Sequence, residues 1–191
     1  DFWANRLQDW KLEDGQLVCL NESNPMRTVH LLTHNLADRE GAFELAVELN
    51  MIELLEGKAS AGILFGAGAG QDYRQAALIH HSYGKHGGLY VGISRDGQFF
   101  LRDFETEKTM LAQVDLAQGV FESIVNLTVS IDKECNLTAV AKSNGKELGR
   151  LEGIPIPTDR LIGSIALVSS PDPETKKGRF ANRPCLIFDF R

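Results

Sequence analysis

The chain lacks the features on which membrane and nucleic-acid proteins depend. No apolar run approaches the roughly 20 residues that a membrane-spanning helix needs, and no segment is dense in lysine or arginine. The 20 basic residues are interspersed with 26 acidic ones, and the net charge is −6. Because nucleic-acid binding requires clustered cations that displace counterions, we predict neither a membrane span nor a nucleic-acid partner.

Cysteine is scarce as well. The three cysteines are too widely spaced to form a Cys-x-x-Cys or Cys/His metal motif. Cys19 and Cys185 stand in apolar, strand-like segments, where a thiol behaves as a small hydrophobe. We therefore expect Cys19, Cys135 and Cys185 to be buried or inert, with one disulfide as the alternative.

The chain also lacks a phosphate-binding loop. Segment 58–71 is rich in glycine, but it has no Gly-Lys-Ser/Thr ending, and its Gly-x-Gly-x-Gly spacing differs from the dinucleotide-binding fingerprint. No helical pattern follows the segment. We predict a strand that ends in a tight glycine loop, and no nucleotide site.

Length and composition indicate an ordinary globular domain. The 191 residues are 43% apolar and 24% charged, and we expect one domain over residues 1–191. The sequence starts at Asp1 without methionine and stops at Arg191 inside an apolar run. We therefore expect this domain to be part of a longer chain.

The apolar residues alternate with polar ones almost throughout the chain. Segments 43–49, 125–132 and 136–142 each place apolar side chains on one face of a strand and mostly polar ones on the other. Strands are predicted near residues 2–7, 16–20, 28–35, 42–52, 60–66, 73–82, 89–94, 98–103, 109–115, 123–132, 135–142, 146–151, 160–169 and 184–190, with a short helical turn at 157–160. So many short strands indicate an all-β sandwich of two antiparallel sheets. Uneven strand lengths disfavour a closed barrel.

Three dipeptides predict tight hairpin turns between these strands. They are Asp14-Gly15, Asp96-Gly97 and Asn144-Gly145. Asp-Gly and Asn-Gly tolerate the left-handed backbone conformations that two-residue hairpin loops require.

Several of these strand and turn segments resemble a known family. They include W-K-L-E-D-G-Q-L (10–17), F-E-L-A-V-E (43–48), S-A-G-I-L-F (60–65) and the G-I-S-R-D-G run that ends at 97. Their order resembles concanavalin A-like lectin/glucanase jelly rolls, especially bacterial laminin-G-like and keto-disaccharide-hydrolase-like modules. It is also similar to the domain that precedes alkaline-phosphatase-D-like metallophosphatases in bacterial secreted proteins.

This resemblance implies a jelly-roll β-sandwich in a secreted, periplasmic or cell-surface bacterial protein. It implies a neighbouring domain of the same polypeptide as partner, with a metallophosphatase as one candidate. Carbohydrate is the ligand class that the fold suggests. The Asp-x-His, Gly-Asp and Asn-His-Asp/Glu segments of a metallophosphatase do not occur between residues 1 and 191.

One acidic run is the candidate for catalysis. Glucanases of this fold carry carboxylates on one strand in a Glu-x-Asp-x-x-Glu run, whereas this chain has Asp103, Glu105 and Glu107. If extended, these three share a face with neighbours about 6.6 Å apart, which suits glycoside hydrolysis. The run differs from the family pattern in identity and spacing, so a solvated strand end is the preferred interpretation.

Ligand binding without catalysis would use exposed aromatic side chains as stacking platforms, supported by polar groups. Three tyrosines are the candidate platforms, and nearby arginine, histidine and aspartate (Asp72) side chains are their support. The predicted ligand-binding residues are Tyr73, Arg74, His81, Tyr83, His86 and Tyr90.

The histidines do not predict a metal site. His80 and His81 would point to opposite faces of a strand, and His30 and His34 would lie about 13 Å apart along one. Only His81 and His86 could converge, and two imidazoles without a third ligand make a weak site. We predict no cofactor, and calcium, which such sandwiches bind at sheet edges, is supported by no motif here.

Together these observations favour a noncatalytic accessory or interaction domain with affinity for glycans. The alternative is a glycoside-active enzyme of the same fold.

Overall fold

The computed structural model describes residues 1–20, 26–36, 42–52, 58–79, 84–106, 109–170 and 180–184. Within these ranges the chain forms fourteen strands, one α-helix and two short 3₁₀ helices. The strands are β1 (Phe2–Trp3), β2 (Trp10–Glu13), β3 (Gln16–Cys19), β4 (Arg27–Leu36), β5 (Phe43–Met51), β6 (Ser60–Ala67), β7 (Leu89–Ser94), β8 (Gln98–Asp103), β9 (Thr109–Asp115), β10 (Val125–Ile131), β11 (Asn136–Ser143), β12 (Lys146–Pro155), β13 (Gly163–Ser170) and β14 (Phe180–Pro184). The helix is α1 (Tyr73–Ile79), and the 3₁₀ helices are Leu7–Asp9 and Thr158–Leu161.

The strands form two seven-stranded antiparallel sheets, which confirms the predicted β-sandwich class. Sheet 1 has the order β1-β4-β13-β6-β7-β8-β9. Sheet 2 has the order β12-β11-β10-β5-β14-β3-β2. Since β1 lies at one edge of sheet 1 and β2 at one edge of sheet 2, the chain crosses from one sheet to the other within its first ten residues.

The main core lies between the two sheets and is built from the alternate apolar residues of their strands. In β5 every second residue from Phe43 to Met51 is buried, and in β10 every second residue from Val125 to Ile131 is buried. The two strands pair so that Val47 lies opposite Leu127, and their apolar faces point inward together. Strands β5 and β10 therefore have one buried face and one more exposed face, as predicted.

Sheet 1 differs because its central strands β6 and β7 are buried on both faces. All eight residues of β6 are buried. Ile63 and Phe65 face the main core, whereas Leu64 belongs to a second apolar cluster. This outer cluster lies on the face of sheet 1 that points away from sheet 2, and its buried members are Leu64, Ala67, Tyr90, Phe100, Phe104, Ala166 and Val168.

Helix α1 lies against this outer face. It contacts β1, β4, β6 and β13, and its Ala76 and Ala77 are buried. The sequence prediction of a strand at 73–82 is therefore wrong for the described residues 73–79. Asp72 starts the helix because its Oδ1 accepts a hydrogen bond of 2.8 Å from the backbone N–H of Arg74.

A glycine in the preceding turn makes the close approach of α1 possible. Gly68 has φ near +69°, and a Cβ atom there would lie 2.5 Å from the Cβ of Ala76. Any larger residue would force the helix away from the sheet. The predicted glycine loop after β6 is therefore correct, but the segment that follows it is a helix that packs on the loop.

The hairpin predictions are confirmed at two positions and modified at the third. Asp14-Gly15 and Asn144-Gly145 both have two positive φ angles in succession, as a two-residue type I′ turn requires. In the β7–β8 connection Gly97 has a positive φ whereas Asp96 does not, and three residues link the strands.

Other boundaries shift by a few residues. The predicted strand at 2–7 is the short β1 followed by a 3₁₀ turn, and β2 was not predicted. The predicted last strand at 184–190 meets β14 only at Pro184, and residues 185–191 lie outside the described ranges. Cys19 is buried, as expected, while Cys135 is partly buried and Cys185 lies outside the described residues.

Gly92 on β7 provides a test of the outer cluster. A Cβ atom at this position would lie 2.6 Å from Tyr90 Cζ and 2.9 Å from Phe100 Cζ. We expect Gly92→Ala to lower the free energy of unfolding by about 2 kcal/mol, because the buried rings cannot move aside freely. Urea unfolding measures the loss.

The matched background is Tyr90→Leu, which removes the ring that the new methyl group would meet. In that background Gly92→Ala should cost less, since the two positions share one packing defect. An equal loss in both backgrounds would contradict the close packing of Tyr90 over Gly92.

Candidate functional site

An aromatic pair lies at the β1 edge of the outer face of sheet 1. Trp3 pairs with His30 of β4, so its side chain points to the outer face, while the neighbouring Phe2 packs into the main core. The ring of Tyr73, the first residue of α1, meets the Trp3 ring edge-on, with centroids 5.6 Å apart and an interplanar angle of 71°. Both side chains are half-buried.

Arg74 completes this group, which we call the α1 cluster (Trp3, Tyr73 and Arg74). Its Cζ lies 5.9 Å from the Trp3 ring centroid and 5.4 Å from that of Tyr73. Its Nε donates a hydrogen bond of 3.2 Å to the Tyr73 hydroxyl. This hydrogen bond and the nearby Asp72 carboxylate raise the pKa of Arg74 above its ordinary value. The α1 cluster therefore combines a permanently charged, exposed guanidinium with two half-buried aromatic rings.

A buried polar network lies beneath the cluster. His30 is fully buried, and its Nδ1 lies 2.9 Å from the Ser164 hydroxyl oxygen. Ser164 donates its own proton to the carbonyl of Ala67 at 3.1 Å, and Thr28 Oγ1 lies 3.3 Å from His30 Nε2. The single hydroxyl proton of Ser164 is used on the carbonyl of Ala67. His30 Nδ1 therefore carries the imidazole proton and donates it to the Ser164 oxygen. The network links β4, β13 and the end of β6 below Trp3.

Burial lowers the pKa of His30 from 6.5 to about 4. The cause is desolvation, because the charged imidazolium would lose its hydration in this interior. His30 is therefore neutral at neutral pH and serves as structural support; it is not an exposed ligand.

Tyr90 does not belong to the exposed site, so its prediction as a stacking platform is wrong. Its side chain points to the outer face of sheet 1, but that face is covered, and Tyr90 is 1% exposed. Its ring stacks on Phe104 with centroids 6.1 Å apart, and its hydroxyl donates to Ser60 Oγ at 3.1 Å. Burial raises the pKa of Tyr90 well above its ordinary value.

His86, another predicted ligand-binding residue, lies in the loop before β7. The backbone N–H of Gly68 donates to the carbonyl of His86 at 2.9 Å, so this loop is attached to the turn that precedes α1. His86 itself is half-buried, with φ near +68°. His81 and Tyr83 lie outside the described residues, and their role stays a prediction.

The acidic candidates for catalysis have a partner that the sequence did not suggest. Arg160, a buried residue of the second 3₁₀ helix, forms an ion pair with Asp103 and a second one of 3.1 Å with Glu105. Strand β8 ends at Asp103, whose Oδ1 accepts the backbone N–H of Glu105 at 2.8 Å. The extended run assumed for these carboxylates is therefore wrong between 103 and 105, and Glu107 lies outside the described residues. The two carboxylates balance a buried cation.

A concave feature lies away from the α1 cluster, on the outer face of sheet 2. A cavity of about 290 Å³ lies over β5, β10 and β11, with Glu44, Ser130 and Thr138 side by side in its lining. At its rim, Asp132 accepts hydrogen bonds from the backbone and side chain of Asn136, which lower the pKa of Asp132. In the parts of the chain that the structure describes, no three His, Cys, Asp or Glu side chains converge in a way that could hold a metal ion.

No protein-family model matches the chain, and no curated protein sequence matches it. Solved structures with a similar fold include a carbohydrate recognition domain of Emp46p (13% identity, 93% of this chain and 87% of that chain, TM-score 0.62). A legume lectin-like domain from Entamoeba histolytica (10% identity, 100% and 88%, TM-score 0.63) and lectin I-B4 from Griffonia simplicifolia (12% identity, 100% and 92%, TM-score 0.61) are also similar. A GH43 glycoside hydrolase matches 96% of this chain over 36% of its own length (10% identity, TM-score 0.58).

These similarities establish that the chain has a lectin-like, concanavalin A-like β-sandwich fold, as its sequence segments predicted. At such low identities the likeness is one of fold. The described residues include no helix with the length and apolarity needed to cross a membrane.

Trp3, a member of the α1 cluster, was not among the residues predicted from the sequence. The signal was present, because Phe2 and Trp3 are adjacent in a strand and must point to opposite faces. One of the two large side chains therefore had to lie outside the core between the sheets.

The buried His30 predicts that stability depends on pH. The unfolded chain binds a proton on this imidazole with a pKa near 6.5, whereas the folded chain does so only near 4. Stability from this group is complete above pH 6.5 and is lost as pH falls. We expect a loss of about 2 kcal/mol between pH 7.5 and pH 5, measured by urea unfolding.

His30→Gln should remove most of this pH dependence, whereas His34→Gln, on the same strand but half-exposed, should retain it. If wild type and His30→Gln lose the same free energy over this pH range, His30 is not the buried neutral group described above.

Proposed function

We propose that this chain is a noncatalytic, glycan-binding accessory domain and that the α1 cluster is its sugar contact. The lectin-like fold is compatible with this role but does not assign it. The proposal rests on one observation: the half-buried rings of Trp3 and Tyr73 form an aromatic pair at the surface, and the guanidinium of Arg74 lies beside both rings.

The chemistry of the cluster suits sugars. A pyranose offers apolar C–H faces, which pack against aromatic rings, and hydroxyl groups, which need nearby donors and acceptors. Trp3 and Tyr73 provide the rings, held at a fixed angle by their edge-to-face contact. Arg74 and the Tyr73 hydroxyl provide polar atoms at the rim.

The rigidity of the platform favours binding. Trp3 is anchored by pairing with His30 on β4, and Tyr73 is anchored by the helix that the buried Ala76 and Ala77 hold against the sheet. Side chains that are already ordered lose less conformational entropy when a ligand binds. The platform is therefore built before the sugar arrives.

The ion pairs that Asp103 and Glu105 form with Arg160 support a noncatalytic role. Glycoside hydrolysis needs two carboxylates that flank the scissile bond with their oxygens directed at the substrate. Release of reducing sugar from laminarin-type or disaccharide substrates, abolished by Glu105→Gln, would contradict this part of the proposal.

We further propose that the domain serves a neighbouring domain of the same polypeptide in a secreted, periplasmic or cell-surface bacterial protein. A glycan-binding module would hold such a neighbour, for which a metallophosphatase is one candidate, close to carbohydrate. Linking two modules raises the effective concentration of the second partner without any new contact.

A glycan array tests the proposed function. We expect binding to a subset of glycans, and a loss of at least about tenfold in affinity for Tyr73→Ala and for Trp3→Ala, because each removes a stacking face. Thermal melting checks that both variants stay folded.

The matched control is Leu111→Ala, which truncates a 41% exposed side chain on β9, at the opposite edge of sheet 1. It should bind as the wild type does. Absence of binding to every glycan would refute the proposed function, and equal binding by all four proteins would refute the assignment to the α1 cluster.

A further inference from the structure

We infer that the α1 cluster selects acidic sugars, that is, glycans whose rings carry a uronate carboxylate. This inference rests on the proposed function and adds the ligand class to it.

Arg74 has hydrogen-bonding capacity left over and a fixed orientation. Of its guanidinium donors, Nε is used on the Tyr73 hydroxyl at 3.2 Å. Its two Nη groups have no hydrogen bond to any residue that the structure describes. Because the guanidinium is planar, one bond at Nε together with the two adjacent rings fixes the plane of the remaining fork. A planar fork of this kind matches the two oxygens of a carboxylate.

No carboxylate of the described residues forms an ion pair with Arg74 either. Arg150, another exposed arginine, lies 2.9 Å from Glu147 and 3.6 Å from Glu152. Among the described residues, Arg74 by contrast donates its side-chain hydrogen bond to a neutral phenol. An arginine already paired with carboxylates has little to offer an anionic ligand, whereas Arg74 keeps its charge available.

Among the described residues, Asp72 is the acidic group whose charge acts on Arg74. Its Oδ1 accepts the backbone N–H of Arg74 at 2.8 Å, which ties the carboxylate to the start of α1. It raises the pKa of Arg74, so its charge reaches the guanidinium although the two groups form no ion pair within 4.0 Å. Asp72 therefore weakens, without cancelling, the attraction of Arg74 for an anion.

The guanidinium of Arg74 lies beside the Trp3 and Tyr73 rings, so one sugar can contact a ring with its apolar face and the guanidinium with its carboxylate. Arg74 Cζ lies within 6 Å of both ring centroids. A sugar ring that packs against Trp3 or Tyr73 therefore lies beside the guanidinium, and a carboxylate substituent on that sugar reaches it. Neutral sugars gain the stacking contact but leave the Nη groups to water.

Paired ligands test the inference. Isothermal titration calorimetry on the full chain would compare oligogalacturonate and oligoglucuronate with their methyl esters, which keep the ring and remove the charge. We expect the acids to bind at least about tenfold more tightly than the esters, with the difference falling as salt is raised, since a charge-assisted bidentate contact is lost.

Three variants assign the effect to Arg74. Arg74→Gln should weaken the acids by about tenfold and leave the esters within about twofold, while Arg74→Lys should restore only part of the loss because an ammonium lacks the fork. Asp72→Asn, which keeps the cap, should strengthen binding of the acids by about two- to threefold. Arg150→Gln is the matched control and should change nothing.

The outcomes separate this inference from the proposed function. Acids and esters that bind equally, with both weakened by Tyr73→Ala, would overturn the acidic preference and leave the glycan-binding proposal supported. An acid preference that survives Arg74→Gln would overturn the role of Arg74. If neither acid nor ester binds, the acidic class is wrong, and the neutral glycans of the array decide the proposed function.

Discussion

The central strands β6 and β7 of sheet 1 bury both of their faces, and the rest of the outer surface depends on that constraint. An antiparallel sheet usually leaves one face to water, but here Leu64, Tyr90 and Phe100 form an apolar layer on the side away from sheet 2. Such a layer must be covered, and α1 contributes to the cover over β1, β4, β6 and β13. The helix in turn brings Tyr73 and Arg74 to the edge of the sheet, where Trp3 meets them.

The candidate site is therefore a consequence of how the fold closes its outer face. Gly68 permits the close approach of the helix, and the His30 network fixes the strands below Trp3. Both features are buried, and each helps to fix the position of the α1 cluster. The position of the Arg74 guanidinium depends on its sequence neighbours, since Asp72 accepts the backbone N–H of Arg74 and Tyr73 accepts its side-chain hydrogen bond.

Local patterns predicted strands β3, β5, β10, β11 and β12 of sheet 2 and their Asp-Gly and Asn-Gly turns well, because alternation and turn dipeptides are properties of neighbouring residues. They failed where distant segments meet. Tyr90 has the spacing of an outward-facing residue, and nothing local indicates that the outward face is covered. Helix α1 is too short for a helical period to stand out, and the partner of Asp103, Arg160, lies 57 residues away.

The most direct test of the α1 cluster as the sugar contact uses the two tryptophans of the chain. Trp3 belongs to the α1 cluster, whereas Trp10 is buried in the main core. In ¹⁵N-labelled protein titrated with a glycan that binds on the array, the indole N–H resonance of Trp3 should shift and that of Trp10 should stay in place. A Trp3 resonance that does not move at saturating glycan would contradict the assignment of the α1 cluster as the sugar contact.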